Sequence, residues 1–453
     1  MKHSLLLISL VSIFAFFSCS KEKESGSNIL HDSKTSTEDM KLLALSKRPQ
    51  RSEVEALSIA SSLIGGKQST GVRTTQFETD YVLSQHLKKV KSESKSIPTD
   101  TLLFIINKKG NKGFCIISGD RRIPPVLAFS DYGHINKNDT IKGSGFAVFM
   151  SRLHAYYNAQ LDKFQDRLDS LQLQWKYEKP IDYFEIETIC SPPIDVYRTP
   201  NLVPVTWGQD TPYNKKAPIV EGSSAVTGCV AVATAQILSA YKQPKQYKDL
   251  SINWELLTKY KSYDLYKEDA QVDSFVDQVS SLLRIVGDKL HNKWGISSTG
   301  ARTKDVPAVL EDMGYYNPSE VTPYNYNGII RSIDQRHPVI MAGCEECTKF
   351  WFITQCEECH AWVTDGYVVK EYTETYVLHD TKEVIGSKKI QYTLLHCNWG
   401  WDGWNNGYFI PNVFNALQPS EPDVSSLQAS KPYYFRYRVR NILDIQADKY
   451  EMQ

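Results

Sequence analysis

Cys229 is the residue in this sequence best placed to act as a nucleophile, and His360 the one best placed to serve it as a base. Cys229 opens the run Cys229-Val230-Ala231-Val232-Ala233, with Ala235, Ile237, Leu238 and Ala240 beyond it. Apolar residues on most sides mark a helix that must be buried, and Pro244 stops it. In the first turn of such a helix a thiol sits beside unpaired N–H groups and the positive end of the helix dipole, a setting that favours the thiolate. Gly228 lets a second backbone or a ligand come close. A lone cysteine in an apolar helix is more often a small core residue. His360 shifts that balance. It lies in Cys359-His360-Ala361-Trp362-Val363-Thr364-Asp365-Gly366. Alternation places His360, Trp362 and Thr364 on one face of a strand, and Asp365-Gly366 predicts a tight turn into a second strand.

Two more segments suit the same chemistry. In His396-Cys397-Asn398-Trp399-Gly400-Trp401, Asn398 at a strand end fits an acceptor that sets the tautomer and angle of an imidazole. Trp399 fits a cover that keeps water off that bond. Upstream, Gln209 in Trp207-Gly208-Gln209 offers an amide donor for an oxyanion, together with the Cys229 main-chain N–H. Taken singly, these are a Trp/Gly-rich loop and an ordinary glutamine. In this order with Cys229 and His360 they form a set.

A second cluster precedes His360: Cys344-Glu345-Glu346-Cys347 and Cys356-Glu357-Glu358-Cys359. In an antiparallel hairpin Cys344 would face Cys359 and Cys347 would face Cys356. Two cross-strand disulfides fit an exported chain; a four-thiolate zinc site fits the same spacing. We expect disulfides or a redox-variable cluster, in either case bracing His360. Cys115, Cys190 and Cys397 read as ordinary thiols. The chemistry calls for no metal or organic cofactor.

The elements that must position these residues follow from the rest of the chain. A length of 453 residues calls for two folded domains rather than one core. The formal net charge of zero argues against nucleic acid as the main partner, because phosphate binding needs concentrated basic surface. Residues 1–18 read as an export signal: Lys2 and His3, then an apolar stretch over 5–17 too short to span a bilayer comfortably. Ser18-Cys19 resembles a bacterial lipoprotein signal, with Cys19 lipidated and the chain held at a membrane through that lipid. This implies an outer-membrane or cell-surface lipoprotein, kept there or released after maturation. Ordinary signal cleavage is the alternative. Residues 19–39 are polar and charged, a flexible tether.

In residues 40–190, Ser52 caps a helix over 53–63, strands over 102–106 and 113–118 are joined by a turn at 108–111, and a long amphipathic helix starts at 146 and reaches about 177. No catalytic constellation appears there. Residues 191–201, with prolines before and within, predict an extended, protease-accessible connection. In residues 202–453, helices are predicted over 230–242, 272–286, 303–313 and 327–336. Strands follow over 338–342, 350–354, 361–364, 367–369, 375–379, 390–398, 408–411 and 433–440. A helical half followed by an antiparallel half is an α+β layout.

These segments carry a resemblance. Trp207-Gly208-Gln209 with Pro212-Tyr213-Asn214, Thr227-Gly228-Cys229-Val230-Ala231 with Ala235-Gln236, Asn253-Trp254, Ser298-Thr299-Gly300-Ala301, Pro338-Val339, His360-Ala361 with Asp365-Gly366, and Asn398-Trp399-Gly400-Trp401 are similar, in order and spacing, to the streptopain family of papain-fold cysteine peptidases. The cysteine-to-histidine separation fits papain-like enzymes generally. Residues 113–119 and 124–132 resemble that family's inhibitory pro-domain. The resemblance implies a papain-like domain behind an α+β pro-domain, made as a zymogen and cleaving protein or peptide substrates. It implies Cys229 as nucleophile, His360 as general base and acid, Gln209 in the oxyanion hole, and Asn398 with Trp399 supporting the histidine. It also implies Ser298, Thr299, Gly300, Ala301 and Trp254 along the substrate cleft. The family usually has Gly where this chain has Cys359. Two rival readings are a catalytically silent surface binding lipoprotein on the same scaffold, and a redox- or metal-sensing lipoprotein centred on the four cysteines.

Overall fold

The computed structural model describes residues 36–65, 76–83, 101–135, 144–175, 186–316, 318–350, 353–415 and 439–447. Cys19, the export signal and most of the tether lie outside them, as does most of the strand expected over 433–440. Among the described residues no helix is long and apolar enough to cross a membrane.

The N-terminal region opens with α1 (Thr37–Lys47) and α2 (Glu53–Ile64). Each starts with a capping box, Ser36 with Asp39 and Ser52 with Glu55. The reciprocal bonds satisfy N–H groups that the first turn cannot. Ala56, Leu57, Ala60 and Ile64 of α2 share a core with a four-strand antiparallel meander: β1 (Phe77–Leu83), β2 (Thr101–Lys108), β3 (Phe114–Ser118) and β4 (Val126–Ser130). Gly110 and Asn111 turn β2 into β3 at φ 79° and 55°, a left-handed conformation these two residue types tolerate best. The long helix α3 (Gly145–Trp175) follows, its first turn capped by the Ser144 hydroxyl accepting from the Ala147 N–H.

The C-terminal region is a helical layer on a sheet. The helices include α4 (Cys229–Tyr241), α5 (Trp254–Lys259) and one over Val272–Lys289. The sheet is built on three long antiparallel strands, Val339–Phe350, Ile353–Leu378 and Val384–Asn398. Short strands Gly407–Phe409 and Arg440–Ile442 flank them. β4 pairs with Gly407–Phe409, so the N-terminal meander and the C-terminal sheet form one twelve-stranded sheet. Alternation sorts the side chains of the Ile353–Leu378 strand. Ala361 and Val363 join Ile340, Ile442 and the α4 residues Val232 and Ile237 in one core. Trp362 joins Trp399, Phe409 and the α3 residue Phe149 in another. The helical half covers one face of this part of the sheet and α3 the other.

Two expectations are revised here. Asp365-Gly366 does not reverse the chain, and the strands expected over 361–364, 367–369 and 375–379 are one strand. A bulge falls between Thr364 and Gly366. Asp365 is fully buried. One carboxylate oxygen accepts from the Val203 N–H at 2.9 Å and the other meets His396 Nδ1 at 2.5 Å. A hairpin turn would have left that carboxylate in water. The 191–201 connection is extended and largely exposed, and part of it is paired into the sheet. β6 (Ile194–Arg198) and the preceding β5 (Ile186–Cys190) both pair with the Ile353–Leu378 strand.

Candidate active site

Cys229 is the first residue of α4, and its N-cap is Gly228 at φ 85°. A Cβ at Gly228 would sit 3.0 Å from the Thr299 carbonyl oxygen, so glycine is required both by the turn and by the neighbouring loop. That loop, residues 292–301, is tied to the cysteine turn from two sides. Asn292 Nδ2 donates to the Thr227 carbonyl at 2.9 Å, and the Thr299 hydroxyl donates to the Val226 carbonyl at 2.7 Å.

His360 reaches the cysteine from the sheet. It opposes Gly343 across the strand pair and is buried. Its ring lies nearly parallel to Trp401, with centroids 6.0 Å apart. Nε2 donates to the main-chain carbonyl of Trp399 at 2.7 Å. A carbonyl only accepts, so Nε2 carries a hydrogen. In the neutral ring Nδ1 then carries the lone pair, the atom that can receive a proton.

Burial pushes the Cys229 thiol up. The charge of His360, a hydrogen bond with its ring, and the main-chain N–H groups of Ala361 and Val230 outweigh that and hold the thiol below its ordinary value. The other thiols differ. Burial raises Cys115 and Cys397 far beyond the physiological range and pushes Cys190 up to about 11. Cys229 is therefore the reactive one among them. The sign of the pH dependence follows: the thiolate exists above the thiol pKa, so lowering it extends reactivity downward in pH. Alkylation of Cys229 by iodoacetamide, followed by peptide mass, is expected to show an acid limb below that of a free thiol. In His360→Ala burial remains and its main compensation is lost, so the limb moves up and the rate at pH 6 drops at least ~10-fold. An unshifted limb in that variant would show that the two residues do not interact.

Gln209 is buried, and its carbonyl accepts from the Thr227 N–H at 3.0 Å and hydroxyl at 3.2 Å. That fixes it beside the chain leading into Cys229. Its Nε2 is buried with no hydrogen-bond partner among the described residues. Leaving an N–H dry and unmatched is costly, unless its acceptor is a group that arrives with the substrate.

Asn398 takes a different place from the one expected. Its Oδ1 accepts from Gln236 Nε2 at 3.3 Å and Asn406 Nδ2 at 3.0 Å, and its Nδ2 donates to the Val205 carbonyl at 2.7 Å. The reason is strand parity. Asn398 lies opposite Val363, whose side chain faces the helical core, whereas His360 and Trp362 project the other way. The acceptor for the imidazole is the carbonyl of the next residue. Trp399 is buried. Its N–H donates to Asn406 Oδ1 and its Nε1 to the Asn405 carbonyl, both at 2.8 Å. Gln236, Asn405 and Asn406 thus hold the segment that holds the histidine. The visible signal for Gln236 was a lone amide inside an apolar helix, which must find partners.

A cleft of about 400 Å³ runs from Cys229 and His360. Thr299, Gly300 and Ala301 line it; Ser298 is exposed and outside the lining. Trp254 is also outside it, in a correction to the expected substrate contact. As the first residue of α5 it is buried in the helical core, with Nε1 donating to the Pro244 carbonyl at 2.8 Å. Cys344 and Cys359 are joined by a disulfide that forms part of the cleft wall beside His360. That bond rules out a four-thiolate zinc site in this state. Cys347 opposes Cys356 in backbone register; their side chains lie outside the description.

No sequence signal singled out the contact that α3 makes here. Gly145, Val148 and Arg152 lie on one side of its first two turns. A Cβ at Gly145 would be 2.1 Å from Trp399 Cε3 and 3.1 Å from His360 Cδ2. A Cβ at Gly343, opposite His360, would meet Val148 Cγ1 at 3.3 Å. The Arg152 guanidinium donates to the Cys344 carbonyl at 3.2 Å. The N-terminal region therefore rests directly on the histidine, on Trp399 and on the hairpin that carries the histidine.

Residues 207–409 match the model of the Peptidase C10 family, and residues 49–156 match that of the Spi protease inhibitor. The chain is 22% identical over 340 residues to the thiol protease/hemagglutinin PrtT of Porphyromonas gingivalis, covering 70% of this chain and 34% of that protein. It thus spans about a third of the length of that relative. It is 24% identical over 347 residues to streptopain of Streptococcus pyogenes, covering 68% of this chain and 73% of streptopain. Among solved structures, a prointerpain A fragment of Prevotella intermedia aligns with a TM-score of 0.49 at 18% identity, covering 78% of this chain and 98% of that one.

Proposed function

From a chain that carries a Peptidase C10 family domain behind a Spi protease inhibitor domain, we propose a cysteine endopeptidase made as a zymogen. The observation that carries this reading is the Cys229 thiol, held low by His360 at the head of a buried helix. Cys229 gives its proton to Nδ1 of His360, and the thiolate attacks the scissile carbonyl carbon. The developing oxyanion takes hydrogen bonds from the Cys229 main-chain N–H and Gln209 Nε2. The imidazolium then protonates the leaving amine, and the new amino terminus departs. Water, deprotonated by the same imidazole, hydrolyses the thioester and restores the thiol.

The N-terminal domain blocks this cycle by position. With Gly145 packed on Trp399 and beside His360, the ground next to the imidazole, where the leaving amine must lie, is occupied. Activation requires α3 to leave, and the exposed connection over 191–201 offers a place to cut once its pairing with the sheet opens. We further propose that the chain is exported, is lipidated at Cys19, and acts at a membrane surface until cleavage frees the peptidase domain. Support for this is the signal-like residues 1–18 and the Ser18-Cys19 junction.

The test is hydrolysis of a mixed peptide library by the processed protein, with an epoxide inhibitor titrating active sites and a mass shift located on Cys229. Absence of hydrolysis after the N-terminal domain has been removed would overturn the reading. Gln209→Ala is expected to lower kcat by about 10²- to 10³-fold with a smaller change in KM, because the lost bond forms with the oxyanion. An equal rise in KM at constant kcat would assign Gln209 to ground-state binding instead.

A further inference from the structure

The cleft has a charged end that the reaction does not use. Arg440, at the start of the Arg440–Ile442 strand, is exposed and lines the cleft together with Cys229 and Thr299. The described lining contains no Asp or Glu. Strand pairing sets its direction. Arg440 opposes Ala342, and Ala342 opposes Ala361. Directly opposed residues project to the same face, so the three form one row on the face that α4 covers. Ala361 also donates its main-chain N–H to Cys229. Strands lie ~4.8 Å apart, which puts the Arg440 backbone ~10 Å from the Ala361 backbone. Only the small side chain of Ala342 lies between them, and with Gly300 and Ala301 also in the lining that distance stays open.

The polarity of a bound peptide decides which of its residues meets Arg440. The leaving amine must lie on the His360 and Trp399 side. The acyl side therefore runs the other way, past Thr299, Gly300 and Ala301 and over the alanine row. At ~3.3–3.6 Å per extended residue, a side chain one or two positions before the scissile bond reaches the guanidinium. We propose that Arg440 is a specificity-determining residue that selects substrates with an acidic side chain at one of those two positions. This rests on the peptidase reading above. The guanidinium is unchangingly cationic and pairs with a carboxylate through two parallel hydrogen bonds. A glutamine offers only one acceptor oxygen there, and a lysine is repelled.

The experiment compares kcat/KM, per titrated active site, for peptides that differ only by Glu, Gln or Lys at the first or second acyl-side position. The expected result is a Glu over Gln ratio of about fivefold at one of these positions, the scale of a solvent-exposed ion pair, falling as salt is raised. Arg440→Lys should keep a Glu preference, Arg440→Gln should bring the ratio to about one, and Arg440→Glu should favour Lys. A wild-type ratio near one at both positions, or a Glu preference unchanged in Arg440→Gln, would overturn the assignment while leaving the peptidase intact. Failure to cut any peptide of the set would instead overturn the peptidase reading and this assignment with it. Because the readout is a ratio within each enzyme, a variant that folds poorly does not mimic the result.

Discussion

Cys229→Ala is expected to leave the chain at full length and to abolish hydrolysis, with kcat falling by at least ~10⁴-fold. The loss should be this large because no other described group can replace the thiolate. Cys115 and Cys397 are buried with thiols driven far up, and Cys190 is pushed up to about 11. His360→Ala should come close to the same loss, since base and nucleophile act as one unit and their effects do not add. Two measurements check this: N-terminal sequencing of the purified variant, and release of a fluorescent group from a peptide. A Cys229→Ala protein that processes itself and cuts peptides at the wild-type rate would remove Cys229 from the reaction. One that stays unprocessed on its own but, once an added protease has removed its N-terminal domain, binds peptides as tightly as the active enzyme does, separates chemistry from recognition in the same cleft.

Gly145→Leu should have the opposite outcome, a zymogen that does not stay latent. The added Cβ would need space 2.1 Å from Trp399 Cε3. The indole cannot yield, because its Nε1 and main-chain N–H are both hydrogen-bonded and it packs on Trp362 and Phe409 at 5.2 and 4.9 Å. The helix must therefore lift. Overpacking of this kind costs about 1–3 kcal/mol, equivalent to roughly 5- to 150-fold weaker docking of α3. Self-processing should speed up by a similar factor, read as the half-time for loss of the full-length band. Ser52→Ala is the control. It removes the cap of α2, costs about 1 kcal/mol of fold stability, and touches nothing in the cleft. Equal acceleration by both variants would mean that Gly145 acts through general stability. Acceleration by Gly145→Leu alone would place the effect at the histidine. No acceleration by either would refute the occlusion.

Much of the helical scaffold could be read from local pattern. Ser52 with Glu55 marks the start of α2, and the apolar run after Cys229 marks α4, because caps and periodicity are properties of neighbouring residues. The same locality misled at Asp365-Gly366, where a good turn pair became a bulge. Asp365 found partners in Val203 and His396, far away in sequence, and a buried carboxylate follows its hydrogen bonds. Asn398 was placed correctly near the site and wrongly within it. Proximity to His360 is visible in the chain, but the face on which a strand residue projects depends on register, which only pairing with Val363 sets.

The pair with which the sequence begins its chemistry, Cys229 and His360, was determined by residue type, order and spacing. A thiol at the start of an apolar helix and an imidazole on a later strand are chemically suited to one another wherever the fold brings them together. The tertiary structure decided what surrounds them. It supplied a carbonyl of Trp399 rather than an amide of Asn398 behind the imidazole, a disulfide in the wall, Gly145 packed beside the ring, and Arg440 at the far end of the cleft. Each of these depends on contacts between residues far apart in the chain. A one-residue change of register would turn Asn398 toward the other face and Arg440 away from the cleft, while leaving the sequence around each of them unchanged.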